Sequence, residues 1–330
     1  MIFLITGATG FLGGHLVDTL TAEGHSVYSL ARSAKKVKEF NIKGTIIYGD
    51  LSLKSIQSWI LELPEQIDQV IHTAGIVHSY NKDDFFEVNT DATLHLFDEL
   101  TKRFKSGHFI FISSLAAAGP GTSRQLPKES DIAQPVSAYG RSKLLAETKL
   151  LSQKKPNWRI NIVRPPMVIG PRDPAVLDIF KMVKAKVVLY PGLGAGKKEY
   201  SFVCVFDLVT AIIKLSEKAN LNNEIFYAAY PSKITYESLI QMITKLCQSK
   251  TVILSVPFIF IKLISKVLNA INYVTPMSAR LTPDKTYELA PMNWTCDSQK
   301  SRGLLKMEYT WGLEETIKVT KDDYEKRSWI

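Results

Sequence analysis

Residues 1–14, MIFLITGATGFLGG, constrain this chain more than any other stretch. The apolar run from Ile2 to Ile5 breaks at Thr6-Gly7 into glycines spaced Gly7-x-x-Gly10-x-x-Gly13. Phe11, Leu12, Leu16, Val17 and Leu20 then recur at helical intervals. The pattern predicts strand, tight turn and helix. Gly7 permits the turn, Gly10 lets the backbone approach a diphosphate closely, and Gly13 lets the helix pack against the strand. Thr9 lies in the turn, and the amides of Gly10, Phe11 and Leu12 fall at a helix N-terminus, where partial positive charge favours an anion. The stretch reads as a dinucleotide-binding turn. A plain glycine turn is the alternative, and the flanking strand and helix argue against it.

At 330 residues the chain can bury one large core, or a core and a smaller lobe. A formal net charge of +9 favours anionic ligands or an anionic surface. Basic residues such as Lys35, Lys36 and Lys38 come in small groups with no block of five like charges, so nucleic acid is not an expected partner. The three cysteines, Cys204, Cys247 and Cys296, lie far apart, which implies neither a disulfide framework nor a zinc site and fits a cytoplasmic protein. All six histidines precede residue 109 without metal-ligand spacing, and no metal is expected. The N-terminal apolar run is too short for a signal peptide.

Strand-like runs at 2–5, 26–30, 45–48, 69–72, 108–112 and 160–163 alternate with amphipathic stretches near 11–22, 53–61, 84–104 and 137–153. That alternation predicts an α/β fold, a doubly wound parallel sheet of Rossmann type with a smaller C-terminal substrate lobe. Ligands of such sheets bind beyond the carboxyl ends of the strands, which selects Gly7–Leu12, Ala31–Ser33, Asp50–Leu51, Thr73–Gly75 and Ser113–Ser114. After Arg164, prolines at 165, 166, 171, 174 and 191 and glycines at 192, 194 and 196 suggest long loops. The expected division is a dinucleotide domain over 1–168, with 205–228 returning to it. A substrate lobe takes 169–204 and 229–300, and a C-terminal helix takes 301–330. Residues 252–274 are apolar over nearly a bilayer's length, but Lys262, Ser265, Lys266, Asn269 and Asn272 trace a polar stripe along a helix. A surface helix is expected there, covering a substrate cleft in preference to packing on a second subunit. Peripheral membrane contact through 258–272 is the least favoured use.

Tyr139 and Lys143 stand four residues apart in SAYGRSKLLAET, a helical segment after the fifth strand, so phenol and ammonium share one face. An adjacent ammonium lowers a phenol's pKa and makes it a usable acid or base. No other of the thirteen tyrosines has a lysine at that spacing. Ser113-Ser114 end the fifth strand, where one hydroxyl can bond a substrate carbonyl oxygen. Capping a turn is the simpler reading of the serines alone. With Tyr139 and Lys143 they make a proton-relay set for hydride transfer.

The strings TGATGFLG, HTAG, VNTDAT, ISS, YGRSK and RPP, in this order and at these separations, resemble the extended short-chain dehydrogenase/reductase family, the NAD-dependent epimerase/dehydratase superfamily. SFVCVFDLVTAI and NWTCDSQKSRGLL carry the likeness into the second lobe. SSLAAAGP looks nearer the 3β-hydroxysteroid dehydrogenase branch than the sugar epimerases, which tend to have Val-Tyr-Gly there. The resemblance implies that Tyr139 is the catalytic acid/base, that Lys143 also holds the nicotinamide ribose, and that Ser114 is the catalytic serine. It also implies that Thr73, Ala74 and Gly75 line the nucleotide, that Asn89 orders the site and that Pro166 borders the nicotinamide. The family commonly forms homodimers through the helices near 84–104 and 137–153, and the same is expected here.

Three local choices narrow the expectation. The second strand ends Leu30-Ala31-Arg32-Ser33 without the acid that binds a ribose 2′-hydroxyl, and Arg32 offers a planar donor fork to a 2′-phosphate. NADP(H) is therefore the preferred cofactor, with NAD(H) the alternative, and Asp50 is expected on the adenine side. Leu115-Ala116 replaces the Asp-Glu pair of the family's dehydratases, which disfavours dehydration. Tyr200-Ser201-Phe202 stands where epimerases often show Arg-x-Phe, although Lys197, Lys198 or Arg280 can stand in for the missing Arg. The leading expectation is an NADP(H)-dependent oxidoreductase interconverting a secondary alcohol and a ketone on a bulky or hydrophobic small-molecule substrate. A nucleotide-sugar epimerase with tightly held NAD is the first alternative, and a non-catalytic cofactor-sensing protein the second.

Overall fold

Seven strands pair in parallel: β1 (Ile2–Thr6), β2 (Ser26–Ala31), β3 (Thr45–Tyr48), β4 (Gln69–His72), β5 (Gly107–Ile112), β6 (Trp158–Arg164) and β7 (Glu224–Tyr227). Their order across the sheet is β7-β6-β5-β4-β1-β2-β3, so the winding reverses between β1 and β4. The computed structural model describes residues 1–122, 125–274 and 281–330. Arg280, one of the candidate substitutes for the missing arginine, lies outside the described residues.

Helices cover both faces because the strands are apolar on both. On one side Leu16, Val17 and Leu20 of helix Phe11–Ala22 pack with Leu208 and Ile212 of helix Val205–Ser216. On the other, Ile56 and Trp59, then Leu96, Phe97 and Leu100, then Ala146 and Leu150, come from helices Leu53–Trp59, Ala92–Arg103 and Ala138–Leu151. Thr6 stands opposite both Leu30 and His72, so the loops after β1, β2 and β4 open at one edge of the sheet. The return of 205–228 to this domain takes the form of helix Val205–Ser216 and β7, which pairs with β6.

The second lobe has its own core, in which Phe180, Val183, Leu239, Ile240, Ile243, Ile317 and Tyr324 meet. Strands Val187–Pro191 and Val252–Val256 form a separate parallel pair in it. Two stretches differ from expectation. Between the prolines after Arg164 runs a helix, Val176–Lys184, whose Val176, Leu177, Phe180 and Val183 repeat at helical spacing and are buried. Proline punctuation hid that periodicity. Residues 301–330 also hold more than one helix: Gln299–Leu304 and Leu313–Lys326 are separated where Lys306 takes a positive φ and Met307 and Tyr309 enter the sheet domain's core.

Candidate active site

A cleft of about 560 Å³ opens at the switch point. Gly7, Thr9, Gly10, Phe11, Leu12 and Gly13 form its floor, and Arg32, Asp50, Leu51, Thr73, Ala74 and Gly75 line its walls. Gly7 holds φ +71°, and a Cβ on Gly13 would stand 2.2 Å from the Gly7 carbonyl oxygen, so turn and helix both require glycine. Helix Phe11–Ala22 starts at Gly10 with no side-chain cap and no acid in its first turn. The Gly10 amide, expected to be free, donates to the Gly7 carbonyl at 2.8 Å within the turn, while the amides of Phe11 and Leu12 have no acceptor among the described residues, which suits a diphosphate. Exposed Arg32 and Lys36 both border the β2 side, while Lys35 does not. Asp50 accepts from Ser52 Oγ at 2.7 Å and Ser52 N at 2.9 Å; these bonds, with a smaller contribution from Arg32, hold its carboxyl below the usual range.

The hydroxyl and ammonium groups converge beside this cleft. Ser137 caps helix Ala138–Leu151 by accepting from Gly140 N at 3.0 Å, and Tyr139 and Lys143 follow on its buried face. The Ser114 side chain stands beside the Tyr139 hydroxyl, where it favours the ionised phenol, and accepts from Ala116 N at 3.1 Å. The neighbouring Ser113 hydroxyl is buried without a partner among the described residues, so Ser114 is the serine brought to Tyr139. Lys143 Nζ donates to the Ile112 carbonyl at 3.0 Å and lies over the Phe111 ring at 4.6 Å. A Cβ on Gly75 would stand 3.2 Å from Lys143 Nζ, which fixes the ammonium immediately behind the cleft wall. Pro166 sits next to Pro165, whose carbonyl accepts from Leu115 N at 2.9 Å. Tyr139, Lys143 and Pro166 thus stand beside the cleft rather than among the residues that line it.

One electrostatic expectation is reversed. Burial pushes the Tyr139 phenol well above its ordinary value, the Ser114 side chain opposes that shift, and Glu288 adds to it. Lys143 does not pull it down, and its ammonium is turned to the Ile112 carbonyl. Burial in turn lowers Lys143 to about 8, against the opposing charge of Glu147. Tyr139 is accordingly held in its protonated form.

Asn89 lies in a π-helical turn, Glu87–Asp91, where its side chain accepts from Ile76 N at 2.9 Å and donates to Ile76 O at 3.0 Å and Ser142 Oγ at 3.2 Å. Behind it the Thr93 hydroxyl donates to Asn89 O at 2.9 Å, so Thr93 Oγ1 accepts from His72 Nε2 at 2.9 Å. His72 Nδ1 then accepts from Thr6 Oγ1 at 2.6 Å. These directions assign a neutral imidazole protonated on Nε2, and burial, then Lys143, lowers His72 to about 3. The chain links the end of β1 to Asn89 without a charge.

Several positioning residues escaped the sequence reading. Arg164 Nε donates to both Glu147 oxygens, at 2.9 and 3.1 Å, tying the Tyr139 helix to the end of β6. Asp284 Oδ1 accepts from Ala138 N at 2.7 Å and Asp284 Oδ2 from Tyr139 N at 3.3 Å, while Ser137 Oγ donates to Glu288 at 2.7 Å. The second lobe therefore caps the helix that carries Tyr139. Thr282-Pro283-Asp284 was legible as a helix start, but its target was not. Of the candidate substitutes for the missing arginine, Lys198 is buried and donates to the Leu289 carbonyl, and Lys197 is exposed. Tyr200 itself packs against Tyr236, with ring centroids 6.5 Å apart. Among the described residues no group of His, Cys, Asp and Glu has the make-up of a metal site.

A parallel sheet with an uncapped glycine turn at its switch point defines a dinucleotide-binding protein. The sequence profile of the NAD dependent epimerase/dehydratase family matches residues 3–229, and the chain belongs to that family. A UDP-glucose 4-epimerase of Vibrio cholerae is 26% identical over 304 residues, covering 88% of this chain and 89% of that one. A decarboxylating sterol-4-alpha-carboxylate 3-dehydrogenase of Schizosaccharomyces pombe is 27% identical over 238 residues, 68% of each chain. The fold is shared with UDP-glucuronic acid 4-epimerase from Bacillus cereus, solved with UDP-glucuronic acid and NAD, at a TM-score of 0.80, 20% identity and coverage of 99% and 100%.

Proposed function

We propose that this enzyme interconverts a secondary alcohol and a ketone on a bulky or hydrophobic substrate, with NADP(H) as the preferred dinucleotide. The convergence of Ser114, Tyr139 and Lys143 beside the glycine cleft carries the reading. When bound, the nicotinamide cofactor supplies the hydride in reduction or accepts it in oxidation. In the reductive direction the Tyr139 hydroxyl gives its proton to the carbonyl oxygen as the C=O π bond opens. Ser114 Oγ hydrogen-bonds the same oxygen and stabilises the charge that develops there. Lys143 places its ammonium behind Gly75 for the ribose. Arg32 and Lys36, without an acid at the end of β2, favour a 2′-phosphate. Tyr200 in place of an arginine favours an apolar substrate over a nucleotide sugar, and the sterol dehydrogenase relative fits that choice.

Nucleotide-sugar epimerisation is the second reading, favoured by the longer match to the Vibrio cholerae enzyme. Calorimetric titration of NADPH and NADH into nucleotide-free protein separates the two. Tight, exchangeable NADPH with weak NADH supports the reductase, whereas protein that purifies loaded with NAD(H) overturns it. In Tyr139→Phe, turnover of a ketone substrate is expected to fall by about 10²–10⁴-fold with dinucleotide affinity nearly unchanged. Turnover retained in that variant removes the proposed mechanism.

A further inference from the structure

Helix Phe258–Val274 is turned opposite to its sequence pattern. An amphipathic surface helix normally buries its apolar stripe. Here Ile261 and Ser265 are buried and Asn269 and Asn272 half-buried, while Ile259, Phe260, Leu263, Ile264, Val267 and Ile271 are 44–69% exposed. The apolar side chains thus face solvent instead of covering the cleft. The face continues into the strand pair just before the helix, where Val252 is paired with Val187 and Leu254 with Leu189 and all four are exposed. Pro191 is paired with Val256, which brings Leu193, 80% exposed, toward the start of the helix. A concentration of exposed apolar side chains of this kind marks an interaction site.

Its charge identifies the occupant. Exposed Lys262 and Lys266 stand among the apolar side chains of the helix, and exposed Lys186 and Lys250 flank the entry to the two strands. No Asp or Glu occurs in residues 179–198 or 238–283. A second copy of the chain is a poor match, since a two-fold contact would oppose this face to itself and set lysines against lysines with no acid to pair them. A dimer through helices Ala92–Arg103 and Ala138–Leu151 would leave the face free. Among the described residues no helix is long and apolar enough to cross a membrane. We propose that this face docks the chain on an anionic lipid bilayer, with helix Phe258–Val274 lying in the plane of the interface. The same helix packs on Pro283–Leu289, the helix whose Asp284 caps the Tyr139 helix, so the docked face lies one helix away from the site.

Co-sedimentation of the full chain with phosphatidylcholine vesicles and with mixed phosphatidylcholine–phosphatidylglycerol vesicles tests this. Binding to the mixed vesicles is expected to be about tenfold or more tighter and to weaken as salt is added. The double variant Ile259→Asp/Leu263→Asp is expected to stay in the supernatant while binding dinucleotide like the parent. Lys262→Glu/Lys266→Glu, which leaves the apolar side chains in place, is expected to lose the preference for phosphatidylglycerol. Leu304→Asp, at an exposed leucine outside the patch, is expected to bind as the parent does. The proposal is overturned if the parent sediments with neither vesicle, or if the Asp double variant still binds. It is also overturned if light scattering shows a parent dimer that the Asp double variant converts to monomer, since the face is then a contact between copies.

Discussion

Helices Ala138–Leu151 and Phe258–Val274 both break the rule that apolar residues face in and polar residues face out, and they break it in opposite directions. The first buries Tyr139, Ser142, Lys143 and Glu147 against the sheet and the second lobe. The second leaves Ile259, Phe260, Leu263 and Ile264 in solvent. Burying polar groups is tolerated only where each finds a partner. The first helix meets that condition: Glu147 pairs with Arg164, Lys143 with the Ile112 carbonyl and Ser142 with the Tyr139 carbonyl, while the Tyr139 hydroxyl lies beside Ser114. Exposing apolar groups needs no partner inside the protein but calls for one outside. One helix holds its polar groups in, and the other turns its apolar groups out.

Removing one member of the buried ion pair is the hardest test of the first helix. Glu147→Gln is expected to lower stability by about 3–5 kcal/mol in urea unfolding, because the Arg164 charge is left without its carboxylate. A loss under 1 kcal/mol would mean that water reaches the pair and that the helix is not held from within. Acid is expected to act next most strongly, through His72. Its folded pKa of about 3 lies below the ordinary value of 6.5, so its contribution is fully present above pH 6.5 and is lost as pH falls toward 3. The loss should reach on the order of 2 kcal/mol by pH 5. Imidazole ¹⁵N spectra should show His72 neutral and protonated on Nε2 down to pH 4, and a cation at pH 5 would refute the network drawn through it.

Asp284→Ala tests whether the second lobe positions the first helix. A loss of about 1–2 kcal/mol is expected, as for a missing helix cap, with kcat falling more than dinucleotide affinity. Equal loss in both would make Asp284 merely structural. Leu263→Ser on the second helix should change stability by no more than about 0.5 kcal/mol, since the side chain is 57% exposed. A larger loss would show that the outward face is covered within the monomer, and the contrast between the helices would disappear.

The sheet was readable because local rules and tertiary rules agree there. Strand runs at 2–5, 26–30, 45–48, 69–72, 108–112 and 160–163 differ from the observed strands by no more than a residue or two at their ends. Burial on both faces requires continuous apolar runs, and those are visible in one dimension. The cleft residues Gly7–Gly13, Arg32, Asp50–Leu51 and Thr73–Gly75 were legible because each group directly follows a strand in a sheet whose ligands bind at the strand ends, whereas Glu87, Val88, Asp91, Ala92 and His95, which line the same cleft from the helical segment after β4, were not. Helix Val176–Lys184 was missed because proline and glycine punctuation on either side outweighed a nine-residue periodicity.

The sequence by itself determined the class of fold, the glycine turn at the end of β1 and the placing of Tyr139 and Lys143 on one helix face. These follow from spacing along the chain and from which residues end a strand, whereas the choice of Ser114 over Ser113 came from the family resemblance. Tertiary structure alone decided which way each element faces and what electrostatic environment it meets. Tyr139 is raised rather than lowered because desolvation depends on everything packed around it, including Glu288 from a distant helix. Asp284 reaches the start of the Tyr139 helix across 146 residues of chain, a separation no local pattern encodes. The outward turn of helix Phe258–Val274 was decided in the same way: periodicity defines an apolar side, and only packing chooses whether that side meets the core or the world outside.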